Sequence, residues 1–90
     1  MKINVIRWED SRVEHIMERH GIRPEEAEDV CHGPNFVQKV RYGRYAIYGQ
    51  TAAGRYVMVV VNPLGNGVFE TITARDMTDV ERRRYRQKGK

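Results

Sequence analysis

The sequence predicts an α+β domain with elements in the order α–α–β–β–β–β–α and a small four-stranded antiparallel sheet. Three observations carry that reading. Apolar residues recur at near-four spacing before Pro34 and at spacing two after it. The links between the alternating runs are short and glycine-bearing, which suits an antiparallel meander. Thr78-x-x-Glu81 then reads as a capping box that opens a last helix. Ninety residues make one domain with a modest core, and 40% hydrophobic with 31% charged residues is a globular composition.

The first helix is expected over about Ser11 to His20, where Val13, Ile16, Met17 and His20 form a stripe and Gly21 supplies the stop. "IRPEEAEDVCHG" opens the second. Pro24 suits a first turn because its missing amide hydrogen is not needed there, and Glu25 and Glu26 favour the positive helix end. Ala27, Val30 and Cys31 form its inner face, and Gly33-Pro34 ends it. "FVQKV", "YAIYGQT", "YVMVVVN" and "VFETITA" read as four strands linked through Gly43, "AAG" at 52–54 and "PLGNG" at 63–67. Residues 57–61 are apolar on both faces, so their strand is expected to be central and covered on both sides. In the last helix Val80 and Tyr85 are candidates for the inner face, and "RQKGK" at 86–90 is expected to fray.

The net charge of +4 hides an asymmetry. Residues 1–81 carry ten Lys/Arg against twelve Asp/Glu, whereas residues 82–90 hold six basic residues and no acid. Such a block attracts phosphate backbones or an acidic protein surface, or serves only to keep a small protein soluble. One cysteine, Cys31, excludes an intramolecular disulfide and a Cys-rich zinc site, and it reads as a buried thiol. "MKINVIRWED" turns charged too early for a signal peptide, and "YVMVVVNPLG" is too short to cross a bilayer, so a cytoplasmic protein with no membrane partner is expected.

Phosphate-loop, dinucleotide-binding, zinc-protease and EF-hand patterns are all missing. His15 and His20 are five apart on one helix and are not expected to face together. No metal or cofactor is expected. Trp8 reads as a packing anchor, and Met17, Met58 and Met77 as gap fillers. The arginines are more informative. Arg44 and Arg55 bracket a hairpin and Arg75 follows the last strand, so strand ends could aim their guanidinium groups at one place. An arginine so placed can hold phosphate through its planar fork and balance transition-state charge; salt bridging with Asp76 or the N-terminal acids is the alternative. The five tyrosines are either stacking surfaces for bases or half-buried core residues with wet hydroxyls.

Taken in order, "WEDSRVEHIMERHGI", "PEEAEDV" and "GRYVMVVV…ITARDMTDVERRRY" resemble the BrnT family of ribonuclease toxins of type II toxin–antitoxin operons. The resemblance runs from Trp8 to Tyr85. It implies a RelE/ParE-like fold and metal-independent RNA cleavage. It also implies a ribbon-helix-helix antitoxin as partner, and operator DNA bound through that antitoxin. On the family pattern, Trp8, Glu9, Arg12, Arg19-His20-Gly21, Arg44, Arg75, Glu81 and Tyr85 are the matching positions. The chain departs from it at Ile16, where asparagine is common, at Arg12 in place of lysine, and at Arg23, where a Ser/Thr cap is usual.

The implied chemistry is attack of a 2′-hydroxyl on the adjacent phosphorus. His20 is the expected titrating group, or else a polar helix end beside Gly21. Arg75 and Arg44 are expected to hold the phosphate, Arg12 to orient it, and Tyr85 to donate a proton or stack on a base. Arg19, Arg55, Arg82, Arg83 and Arg86 are expected to bind RNA, free or on the ribosome. The alternative is a catalytically weak or inactive homologue that serves as the antitoxin-binding part of an operator-binding repressor.

Overall fold

The computed structural model describes residues 2–88. Strand β1 (Val5–Arg7) leads into helices α1 (Asp10–His20) and α2 (Pro24–His32). Strands β2 (Asn35–Lys39), β3 (Tyr45–Gln50), β4 (Tyr56–Gly65) and β5 (Val68–Asp76) follow, and helix α3 (Asp79–Lys88) closes the chain. The sheet order is β1-β5-β4-β3-β2. The expected meander is present, with β2 through β5 antiparallel and β4 in the middle. The expected four-stranded antiparallel sheet is corrected to a five-stranded mixed one, because β1 pairs parallel to β5 from Val5↔Val68 to Arg7↔Glu70. Three residues show no periodicity, so β1 gives no signal before its distant partner is known.

Helices α1 and α2 cover one sheet face. There Ile16, Ile22, Ala27, Val30 and Cys31 pack on Ile47, Val57, Val59, Val61, Phe69 and Ala74, with Trp8 and Tyr45 at the margin. Burying such side chains is worth about 1.5–3 kcal/mol each, and this layer supplies most of the core. Met17 departs from expectation: it is 45% exposed, and Ile16 alone of the α1 stripe is fully buried. Gly21 ends α1 in the left-handed region (φ 63°), its amide donating to the Met17 carbonyl at 2.9 Å. At the start of α2 the Arg23 side chain has no acceptor to offer, but its backbone amide donates to Glu26 Oε1 at 3.1 Å, the reciprocal half of a capping box.

The opposite face carries a smaller cluster of Ala46, Met58 and Met77, with Tyr48, Tyr56, Val60 and Tyr85 against it. Helix α3 lies here. Its capping box forms as expected: Thr78 N–H donates to Glu81 Oε1 at 2.9 Å and Glu81 N–H to Thr78 Oγ1 at 3.2 Å. No residue of α3 is buried, and Val80, expected to face inward, is 60% exposed. The expected fraying from residue 86 is not seen at Arg86–Lys88, which continue the helix; residues 89–90 lie outside the described residues. Arginine, glutamine and lysine are good helix formers, and cations suit a helix C-terminus. Among the described residues no helix is long and apolar enough to cross a membrane.

One irregularity sets the site. Between Val60↔Thr73 and Val61↔Thr71 the β4–β5 register shifts, so Ile72 is an extra residue in β5. A bulge reverses the in–out alternation beyond it. Phe69 faces α1 and α2 before the bulge, and Ala74 does so after it. Arg75 therefore projects from the α3 side, opposite Met58, and Asp76 from the α1 side.

Candidate functional site

On the α3 side, one rung crosses the sheet through Phe36, Tyr48, Met58 and Arg75. Tyr56 lies two residues from Met58 on β4, diagonal to Arg75, a separation of about 7–8 Å by sheet geometry. Helix α3 lowers Glu81, Arg82, Tyr85 and Arg86 onto this rung. Arg75 makes a two-pronged pair with Glu81 at 2.8 and 2.9 Å and donates to the Asp76 carbonyl at 3.0 Å. The Arg75 hydrogen bonds hold the Glu81 carboxyl below its ordinary 4.5, with the Thr78 amide adding to the effect.

Tyr56 sits inside a cage of α3 side chains. The Arg82 and Arg86 guanidinium carbons lie 4.5 and 5.3 Å from its ring centroid. Arg86 Nε donates to its hydroxyl at 3.3 Å, and Tyr85 meets it edge-on at 6.0 Å. The hydrogen bond from Arg86 draws the Tyr56 hydroxyl below the ordinary tyrosine value of 10.0, with the charge of Arg82 adding to it. Tyr48 goes the other way: burial pushes it up, and Glu81 adds to that. Tyr48, Glu81, Arg84 and Tyr85 line a small cleft with Phe36 and Gln38. Lys88 reaches over Phe36, its Nζ 4.7 Å from the ring centroid.

The expected site residues thus fall into three groups. Arg75, Tyr85, Arg82 and Arg86 come together on the α3 side. Arg44 belongs to that face by alternation with Tyr45, but it precedes Tyr48 by four residues, about 13 Å along the strand. Its guanidinium carbon lies 5.7 Å from the Tyr42 ring centroid. The Nε atoms of Arg44 and Arg82 are buried with no hydrogen-bond partner among the described residues. Arg83 is on α3 but turned to solvent.

The second group is on the α1 side. Arg55 donates to Asp76 at 2.7 and 3.0 Å, to Glu26 at 3.4 Å, and to the carbonyls of Gly21 and His20 at 2.8 and 3.3 Å. It clasps the C-terminal end of α1 to the sheet. It is His20's carbonyl, not its ring, that enters this clasp. The ring meets His15 edge-on at 6.4 Å, closer than five-residue spacing led one to expect, and its charge helps hold Asp76 low after the larger effect of the Arg55 hydrogen bonds. Arg19 is exposed nearby. Arg12 stands alone two turns away: it donates to the Ile72 carbonyl at 3.1 Å, capping the bulge, and approaches Glu9 at 3.8 Å.

Asp76 joins the two sides, because its carboxylate holds Arg55 while its carbonyl holds Arg75. Beside it a groove is lined by Gly54, Arg55, Tyr56, Asp76, Met77 and Arg82. Sequence reasoning weighs Tyr48 and Tyr56 only among five tyrosines that could stack bases or fill the core, and gives Arg84 no site role. Their nearness to Arg75 depends on the bulge and on where α3 docks, and neither has a local sequence signal.

Comparisons with known proteins agree with this architecture. The 1.1 Å crystal structure of the Brucella abortus ribonuclease toxin BrnT matches with a TM-score of 0.71, over 83% of this chain and 97% of that one, at 17% sequence identity. At that identity the shared property is the fold, and the family resemblance read from the sequence holds at that level. No protein-family model and no curated protein matches the chain.

Proposed function

We propose that the chain is a metal-independent endoribonuclease toxin of a type II toxin–antitoxin pair, cleaving RNA by 2′-hydroxyl attack. The observation that carries the reading is the α3-side cluster of Arg75, Arg82, Arg86, Tyr56 and Tyr85, on a fold shared with a ribonuclease toxin. In this reading Arg75 leaves Glu81 for the scissile phosphate and balances charge as the phosphorane forms. Arg82 and Arg86 draw the RNA backbone in, Arg44 takes a phosphate further along the strand, and Tyr85 borders the reacting group. His20 is the candidate titrating group from the α1 edge. The neutralising partner is a ribbon-helix-helix antitoxin, and operator DNA is met through it.

The test is RNA cleavage in EDTA, on free RNA and in a translating extract, by wild type, Arg75→Ala and His20→Ala. Cutting lost in Arg75→Ala and kept in His20→Ala confines the chemistry to the α3 side; loss in both draws in the α1 terminus. No cutting by folded wild type in either setting overturns the reading.

One observation favours a second reading. Arg75 is closed against Glu81, so the face as it stands has its central cation neutralised. A protein that only binds an antitoxin, as part of an operator-binding repressor, needs no such cation released. It would co-purify with the antitoxin and shift operator DNA while leaving RNA intact.

A further inference from the structure

The ribonuclease reading leaves open which group protonates the departing 5′-oxygen, and the surroundings of Tyr56 answer it. A phenol oxygen has one proton and can accept besides. Tyr56 accepts from Arg86 Nε at 3.3 Å, and it donates to no acceptor among the described residues, so its proton is left for a ligand. Both guanidinium groups lie over its ring, which makes it a poor surface for stacking a base. The same cations stabilise a phenolate. Charged neighbours come from every side of it: Arg82 and Arg86 from α3, Arg75 and Asp76 from β5, and Arg55 from the link just before its own strand. Tyr48, on the same face, is pushed the opposite way by burial.

We propose that Tyr56 is the catalytic proton donor to the leaving 5′-oxygen, its phenolate held by Arg82 and Arg86. The proposal rests on the ribonuclease reading. The 2′-oxygen bonds to phosphorus as the P–O5′ bond breaks. The electron pair departs on O5′, which takes the Tyr56 proton. The 2′-hydroxyl proton passes to water, and the phenolate recovers one from solvent. The products are a 2′,3′-cyclic phosphate and a 5′-hydroxyl end, with no further reactant.

The experiment compares two oligoribonucleotides, one with the normal 5′-oxygen at the cleavage site and one with 5′-sulfur, which leaves as a thiolate and needs no proton. Tyr56→Phe should cut the oxygen substrate about 10²-fold or more slowly, the usual contribution of a general acid, and the sulfur substrate at close to the wild-type rate. Arg86→Lys keeps the charge but loses the Nε donor, and it should show the same dependence in weaker form. Equal loss on both substrates, or no loss on the oxygen substrate, overturns the proposal while leaving the nuclease reading standing. Folded wild type that cuts neither substrate, free or in a translating extract, overturns the nuclease reading and this proposal with it. Thermal melts and affinity for a 2′-deoxy oligonucleotide, both expected to match wild type, show that Tyr56→Phe is folded and binds.

Discussion

Glu81 does two jobs with one carboxylate. It closes the capping box of α3 with Thr78 and it neutralises Arg75. Glu81→Gln should therefore keep the cap, because a glutamine oxygen also accepts the Thr78 amide, but lose the charged pair with Arg75, a cost of about 1 kcal/mol or less. It should also tighten RNA binding, because Arg75 no longer has to leave a charged partner. Denaturant melts and RNA titration check the two effects separately; a variant that loses stability without gaining affinity would mean that Arg75 does not meet RNA. The acid limb of stability follows from the same carboxylates. Hydrogen bonds from Arg75 hold Glu81 below 4.5, and those from Arg55 hold Asp76 below 3.8. Since the folded values lie below the unfolded ones, this stabilisation is complete above the ordinary carboxylate range and is lost as pH falls through the depressed values. Thermal midpoints from pH 7 down to 2.5 should show that loss, with a shallower limb in Asp76→Asn. Asp76 is more than half exposed, so solvent screening keeps its share small. Cys31 is a simpler case. Burial pushes its thiol up to about 12, so alkylation of the native protein should be slow and should track unfolding.

The β5 bulge decides which face receives Arg75, and α1 holds the bulge through one side chain. Arg12 donates to the carbonyl of Ile72, the extra residue. Arg12→Ala should cost about 1.5–3 kcal/mol, the range for hydrogen bonds from charged groups, with the denaturant slope unchanged. Lysine at this position should recover part of it. Were Arg12 an RNA contact alone, the alanine variant would keep its denaturation midpoint and lose only affinity. This bulge also marks where sequence reading stops. The helices, the meander and the α3 cap were legible because each rests on contacts within a few residues: the 3.6 period, Pro24 in a first turn, short glycine links, and Thr78 with Glu81. Strand β1 was not, since Val5–Arg7 gains its identity from a parallel partner more than sixty residues away. Nor was the face of Arg75. Read with unbroken alternation, "VFETITARD" would put Phe69, Thr71, Thr73 and Arg75 on one face. The inserted Ile72 instead sends Arg75 to the α3 side and Asp76 to Arg55. For the candidate site this meant that residue types were legible and company was not. Arginines at strand ends were visible in the sequence, but only the fold shows Arg55 clasping α1 while Arg75 meets α3.

Over the whole molecule the charge is split as the structure is split. Residues 1–81 carry an excess of acid, and five cations, Arg82, Arg83, Arg84, Arg86 and Lys88, lie on the one helix that covers the α3 side. That helix has no buried residue; it is held by the Arg75–Glu81 pair, the arginines on Tyr56, and Tyr85. Surface ion pairs and exposed cation–π contacts are each worth about 1 kcal/mol or less, so the helix is fastened by contacts that salt or a polyanion can replace. RNA binding should then be steeply salt-dependent, because each phosphate neutralised on a single strand adds about 0.7 to the slope of log affinity against log salt. Arg83 meets solvent, so Arg83→Gln should lower that slope by about 0.7 without moving the melting temperature. Arg55→Gln should do the reverse: its guanidinium is already engaged by Asp76, Glu26 and the end of α1, so it should lose stability and leave the slope alone. Titrations of a short RNA between low and moderate salt, set beside melts of the same variants, separate the two. A slope that falls equally in both variants would mean that RNA is bound around the whole sheet end and not on the α3 side.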